Sequence, residues 1–277
     1  MPVRHGPRRA DAALLRRLRA RVRALERHPS ALGRGIRTVP LGVPEIDAAL
    51  PWRGFPCGAL HEVIIGGGGG HGAALGFAAA VLGKLAGDGG YALWCRRDSG
   101  LYGPGLAAFG LDVRRLVVVL ARSETDVLWT MEEALACAGL AAVLGEAHAV
   151  PPIALRRLQL AAEKSGVAAL LVRPERAGAS PAATRWRVGA APSRPTAGFF
   201  RWQVELLRCR AGGSGLAERT AHGPREAADA RPGAWPRAWI LDWSHGTTGG
   251  FAVAADLRHR PAGPAVGEGR RPRLGVG

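Results

Sequence analysis

The chain has 277 residues, 47% of them hydrophobic, and 38 Lys+Arg against 22 Asp+Glu leave a formal charge of +16. That length and apolar content exclude a chain disordered throughout and suffice for one α/β-sized core without staples. Cys57, Cys95, Cys137 and Cys209 lie far apart with no C-x-x-C pair, which excludes a zinc-ligand pattern and a disulfide framework and fits a reducing cytoplasm. No apolar stretch is long enough for a membrane span, and the arginine-rich start lacks the apolar region of a secretory signal.

Charge is segregated along the chain. Residues 1–38 carry eleven arginines against Asp11 and Glu26, and residues 151–210 carry eleven basic against three acidic groups. Residues 39–150 have seven basic and eleven acidic groups, so two polyanion-facing or acid-facing surfaces are expected on a near-neutral core. Only Lys84 and Lys164 are lysines.

In chain order, residues 11–27 place Leu14, Leu18, Val22 and Leu25 on one stripe with arginines opposite, which predicts an amphipathic helix and linker over 1–37. Its apolar stripe is a candidate partner-binding surface. A short helix at 44–50 leads through a Gly/Pro turn into an apolar strand at 60–65, a glycine loop and an Ala-rich helix at 73–85. Strands at 91–95, 116–120, 141–144 and 168–172 alternate with helices at 103–109, 125–139 and 152–165. Such alternation predicts a parallel sheet covered on both faces. Strands at 184–188 and 199–208 are expected to form an antiparallel extension. The period-two pattern there puts Trp202, Val204 and Leu206 on one face with Arg201, Gln203, Glu205 and Leu207 on the other. A mobile loop over 211–233, two strands within 234–257 and a disordered tail over 258–277 complete the expected organisation.

The loop GGGGGHGAA sits where a phosphate-binding loop belongs, between strand and helix, and Gly67 and Gly72 have the spacing of G-x-x-x-x-G-K-[ST]. That motif needs a lysine to reach the β/γ-phosphates and a hydroxyl to hold Mg²⁺, yet the next residues are Ala73 and Ala74. No useful ATP hydrolysis, and no cofactor or metal, is expected. His71 reads as a tolerated loop residue, and Asp98 as a surface carboxylate rather than a general base. The strand at 141–144 ends in Gly145 and then Glu146, so the acid that would hold metal-bound water is expected to be missing.

The runs LGVPEIDAALPWRGFPCGALHEV, GGGGGHGAA, RRDSGLYGPGLAAFGLD, RWRV and FRWQVELLRCRAG together resemble the RecA-like proteins over residues 38–210, with echoes in WILDWSH and FAVAADL. Within these they resemble the ImuA family of the bacterial SOS mutagenesis cassette, because Gly72, Ala73 and Ala74 stand where RecA itself has Gly-Lys-Thr. The resemblance implies an α/β fold of RecA-like, doubly wound type, with a mainly parallel sheet and an antiparallel C-terminal extension. It also implies a non-catalytic accessory role in SOS-induced error-prone translesion synthesis. The implied partners are an ImuB-like Y-family polymerase homologue, RecA and an error-prone DnaE-type polymerase. By the same resemblance, DNA-facing loops follow the central strands. The matching segment here holds Arg173, Arg176, Arg185, Trp186 and Arg187, with Arg201, Arg208 and Arg210 on the next strand as further candidates for single-stranded DNA. Two other readings stay open at this stage: a working DNA-dependent ATPase or recombinase that borrows a cation from a neighbour, and an inhibitor of cell division of the SulA type.

Overall fold

The computed structural model describes residues 37–67, 69–174, 180–192, 199–210, 237–244 and 250–256. The expected N-terminal helix with Leu14, Leu18, Val22 and Leu25, the loop at 211–233 and the tail beyond 256 lie outside the described residues, as does Arg176. A short ladder pairs β1 (Thr38–Val39) with β2 (Phe55–Pro56) around α1 (Pro44–Ala49). This ladder had no counterpart in the sequence reading. Asp47 ties the entry to α1 by accepting from the backbone N–H groups of Leu41, Gly42 and Val43 at 2.8, 3.0 and 3.2 Å.

The remaining strands and α-helices are β3 (Leu60–Ile65), α2 (Gly70–Ala86), β4 (Tyr91–Arg96), α3 (Gly103–Ala107), β5 (Leu116–Leu120) and α4 (Glu124–Leu135). They continue with β6 (Leu140–Glu146), α5 (Pro152–Ser165), β7 (Ala168–Pro174), β8 (Thr184–Ala190), β9 (Phe199–Cys209), β10 (Arg237–Ser244) and β11 (Gly250–Asp256). They build one nine-stranded sheet in the order β11-β10-β9-β8-β3-β7-β6-β4-β5. From β5 across to β8 every pairing is parallel, and from β8 to β11 every pairing is antiparallel. One expectation is therefore corrected: β8 does not begin as a purely antiparallel strand but pairs in parallel with β3, His61 opposite Thr184, before turning back into β9. It is the hinge between the two kinds of pairing.

Two cores lie on opposite faces of the sheet. On one, the largely buried helix α2 packs with Leu41, Ile46, Phe55, Trp94, Trp186, Trp202, Trp239 and Trp243. On the other, α4 and α5 bury Val127, Met131, Leu135, Leu155, Leu158 and Ala162 against Leu60, Leu93, Val143 and Leu171. Both are crossover helices between parallel strands, so they run in the same direction. Ser123 caps α4 by accepting from Asp126 N–H at 3.1 Å. Gly83 lets α2 approach the 110 turn, since a β-carbon there would stand 2.9 Å from the Gly110 carbonyl oxygen.

Among the described residues, no helix is long and apolar enough to cross a membrane.

Candidate functional site

The carboxyl ends of parallel strands are where open α/β sheets bind ligands, and the glycine loop leaves β3 at that edge. Gly66 donates its N–H to the Val188 carbonyl at 2.8 Å, and a β-carbon at 66 would lie 2.9 Å from that oxygen, so this position needs glycine. Gly69 caps α2 in the left-handed region (φ 77), and the helix begins at Gly70. The connection from β3 is thus Gly66–Gly69, and of the residues singled out in sequence only Gly67 lies in it. Gly72, Ala73 and Ala74 are already in the first turns of α2. Gly72 faces open space, whereas Ala73 and Ala74 are 7% and 0% exposed and belong to the core.

Beside the loop, β4 and β6 deliver a polar cluster. Arg96, 5% exposed, holds Asp98 at 2.6 Å, and its Nε lies 3.4 Å from Glu146 Oε1, within ion-pair range but without hydrogen-bond geometry. Trp94 Nε1 donates to the same Glu146 oxygen at 2.7 Å. Burial pushes the Glu146 carboxyl above the ordinary range, against the pull of Trp94, Arg96 and His71. Asp98 is shifted down, chiefly by the Gly100 N–H and then by Arg96. Its reading as a surface carboxylate agrees with its exposure, although it is an ion-pair partner as well. The expected absence of an acid at the end of the 141–144 strand is corrected: β6 continues through Gly145, and Glu146 is its last residue. Gly145 is the reason the continuation was missed, since a glycine reads as a strand end, and here it makes room for Met131.

The basic candidates come together differently from the sequence reading. Arg173 Nη1 and Arg185 Nε donate to the two oxygens of Glu62, each at 2.7 Å, and Glu62 is fully buried in β3. Arg173, 5% exposed, has no reach to a phosphate. Trp186 is 0% exposed, stacked on Phe55 at 5.3 Å, so its reading as a base-stacking aromatic is overturned. Its indole N–H donates to Thr184 Oγ1 at 2.8 Å, in a buried chain that continues through His61 Nδ1 (2.8 Å) to the Pro56 carbonyl (3.0 Å from Nε2). The carbonyl can only accept, which places the proton on Nε2, and burial lowers the His61 pKa to about 4, so the ring is neutral.

Arg187 pairs with Glu205 at 2.8 Å, and Arg201 grips Asp242 through Nε and Nη2, both at 2.6 Å. Arg208 donates to the Ser180 carbonyl at 3.0 Å, and burial, with Arg210 and Arg185 nearby, lowers its pKa. Arg210 is exposed. Sequence reasoning found these arginines and missed their carboxylate partners, because Glu62 sits in the apolar run LHEVII and Asp242 lies 41 residues from its partner. Among the described residues no cluster of His, Cys, Asp and Glu has metal-ligand geometry.

The fold and the carboxyl edge of its parallel strands define an α/β protein whose mixed sheet carries a short glycine connection ahead of a buried helix. No protein-family model matches the chain. Two curated relatives, each "Protein ImuA" of Caulobacter vibrioides (strains NA1000 / CB15N and ATCC 19089 / CIP 103742 / CB 15), are 38% identical over 209 residues, 66% of this chain and 84% of the relative. The chain belongs to the ImuA family. Among solved structures, SulA from Pseudomonas aeruginosa aligns at 22% identity over 42% of this chain and 97% of that one, with a TM-score of 0.37.

Proposed function

We propose that the chain is a non-hydrolytic, RecA-like accessory protein of the SOS mutagenesis cassette, acting in error-prone translesion synthesis by binding an ImuB-like Y-family polymerase homologue in the cytoplasm. RecA and an error-prone DnaE-type polymerase complete the set of partners. The observation that carries this reading is the 38% identity to ImuA over 209 residues. The site supports it. Ala73 and Ala74 supply neither cation nor hydroxyl and point into the core, so even a lysine placed at 73 would begin from the packed side of α2. The polar cluster beside the loop is occupied by its own ion pairs, with Arg96 engaged by Asp98 and Glu146.

The arginines expected to meet DNA spend much of their charge on Glu62, Glu205 and Asp242, which lowers the number of phosphates they can neutralise and favours a protein partner over nucleic acid. Single-stranded DNA is left chiefly to Arg208 and Arg210. The test is a pull-down of the ImuB-like protein by the purified chain, run beside an ATP-turnover assay with and without single-stranded DNA. Retention of the polymerase homologue without ATP turnover is expected. DNA-stimulated turnover well above background would overturn the non-hydrolytic reading.

A further inference from the structure

We infer that the outer face of α4 and α5 is a two-fold interface between two copies of this chain. Three of the large apolar side chains exposed among the described residues gather there: Trp129 on α4 at 60%, and Ile153 and Leu160 on α5 at 73% and 46%. They surround one ion pair. Arg157 Nη2 meets Glu132 Oε2 at 2.6 Å and sets the two helices in register. Trp129 lies one turn before Glu132 and Ile153 one turn before Arg157, so in parallel helices the two stand side by side, with Leu160 a turn beyond the bridge. A cluster of this kind on a polar surface is the usual mark of a docking site, and an exposed tryptophan within it the usual anchor.

Charge identifies the occupant. Helix α4 carries Glu124, Asp126, Glu132 and Glu133 and no basic residue, whereas α5 carries Arg156, Arg157 and Lys164 against Glu163. Asp126 and Glu133 are exposed on the acidic side, and Arg156 and Lys164 on the basic side. A face split this way, acid on one helix and base on its parallel neighbour, is complementary to itself. A two-fold axis running along the helices lays α4 of each copy on α5 of the other. It sets Glu133 near Arg156 of the second copy and Trp129 against Ile153 of the second copy, twice over. An in-plane axis across the helices would instead oppose acid to acid. The arginine-rich segment before residue 37 fits only half of the face, since its positive surplus would meet Arg156, Arg157 and Lys164 on the other half.

The test uses the full chain in sedimentation equilibrium at tens of micromolar, with circular dichroism to confirm that each variant folds. The expected result is a dimer whose dissociation constant rises about tenfold or more in Trp129→Ser, Glu133→Arg and Arg156→Glu. Mixing Glu133→Arg with Arg156→Glu then restores the dimer as a heterodimer, because each substituted helix meets its complement and both unsubstituted helices keep theirs. An intramolecular occupant cannot be rescued by mixing. A chain that stays monomeric across the range, a dimer indifferent to all three substitutions, or variants that do not recover on mixing would each overturn the inference.

Discussion

The two halves of the sheet dispose of their polar groups in different ways. In the parallel half, strands such as β3 and β7 are covered on both faces, and Glu62 and Arg173 are taken wholly into the interior, where each must be answered by another buried group. In the antiparallel half, one face of β8–β10 is a tryptophan wall packed on and beside α2. The other carries Arg187–Glu205 and Arg201–Asp242 at partly exposed positions. The same kinds of ion pair thus hold the fold together in one half and dress its surface in the other. Burial decides which, since a carboxylate out of water cannot fall back on solvent when its partner goes.

The sharpest break of that comparison is Glu62→Gln. It takes the carboxylate from Arg173 and removes one partner of Arg185 where water does not reach Glu62, and we expect a loss of about 3–5 kcal/mol in urea unfolding. A loss below about 1 kcal/mol would mean that water or rearranged acceptors satisfy the two arginines, and that the halves do not differ. Trp186→Phe comes next at about 1–3 kcal/mol. It opens space in a wall where the ring packs on Phe55 and Phe77 and strips Thr184 of the indole donor. Unfolding that leaves the variant as stable as the parent would place the indole bond outside the energy balance.

These contrasts set how far the sequence could be read. The expected boundaries at 60–65, 116–120 and 152–165 coincide with β3, β5 and α5, because apolar runs and helical spacing are local signals. The alternation that put Trp202, Val204 and Leu206 on one face of β9 holds for the same reason, all three being 3% exposed or less. What escaped was non-local. The parallel pairing of β8 with β3 joins residues 61 and 184, and no pattern within either strand announces it. At the glycine loop, motif spacing suggested a cradle reaching to residue 72, whereas α2 starts at Gly70, directly behind the left-handed Gly69. The arginines were visible, but their consumption by Glu62, Glu205 and Asp242 depends on strand order.

A smaller effect, of about 1 kcal/mol, is expected from Glu124→Gln at neutral pH. Glu124 accepts from the backbone N–H groups of His148 and Ala149 at 3.1 and 2.9 Å and pairs with His148 Nδ1 at 3.0 Å, tying the start of α4 to the turn after β6. These contacts, the Ala149 N–H foremost, lower its pKa, so the folded state favours the carboxylate. The stabilisation is therefore present above the ordinary glutamate value and fades as pH falls through the lowered one. Parent and variant should converge in acid. Glu146 has the opposite sign: its raised pKa makes folding less favourable as pH climbs from the ordinary glutamate value through the raised one. A gap for Glu124→Gln that widened in acid would contradict the assignment.

The smallest effect on stability tests the surface side of the comparison and the partner preference together. Arg201 and Asp242 form a two-pronged pair with side chains 33% and 20% exposed, and a double-mutant cycle with Arg201→Gln and Asp242→Asn should return a coupling smaller than any of the effects above, shrinking in high salt. Asp242→Asn alone has a second consequence. It releases a guanidinium from its internal carboxylate, and a freed cation can displace one more counterion from a nucleic acid. Affinity for single-stranded DNA should rise in low salt, and the slope of log K against log salt should steepen by about 0.7, the increment for one phosphate contact on a single strand. An unchanged slope would show that this sheet face does not meet DNA even when its charge is released, which leaves the outer strands to a protein partner.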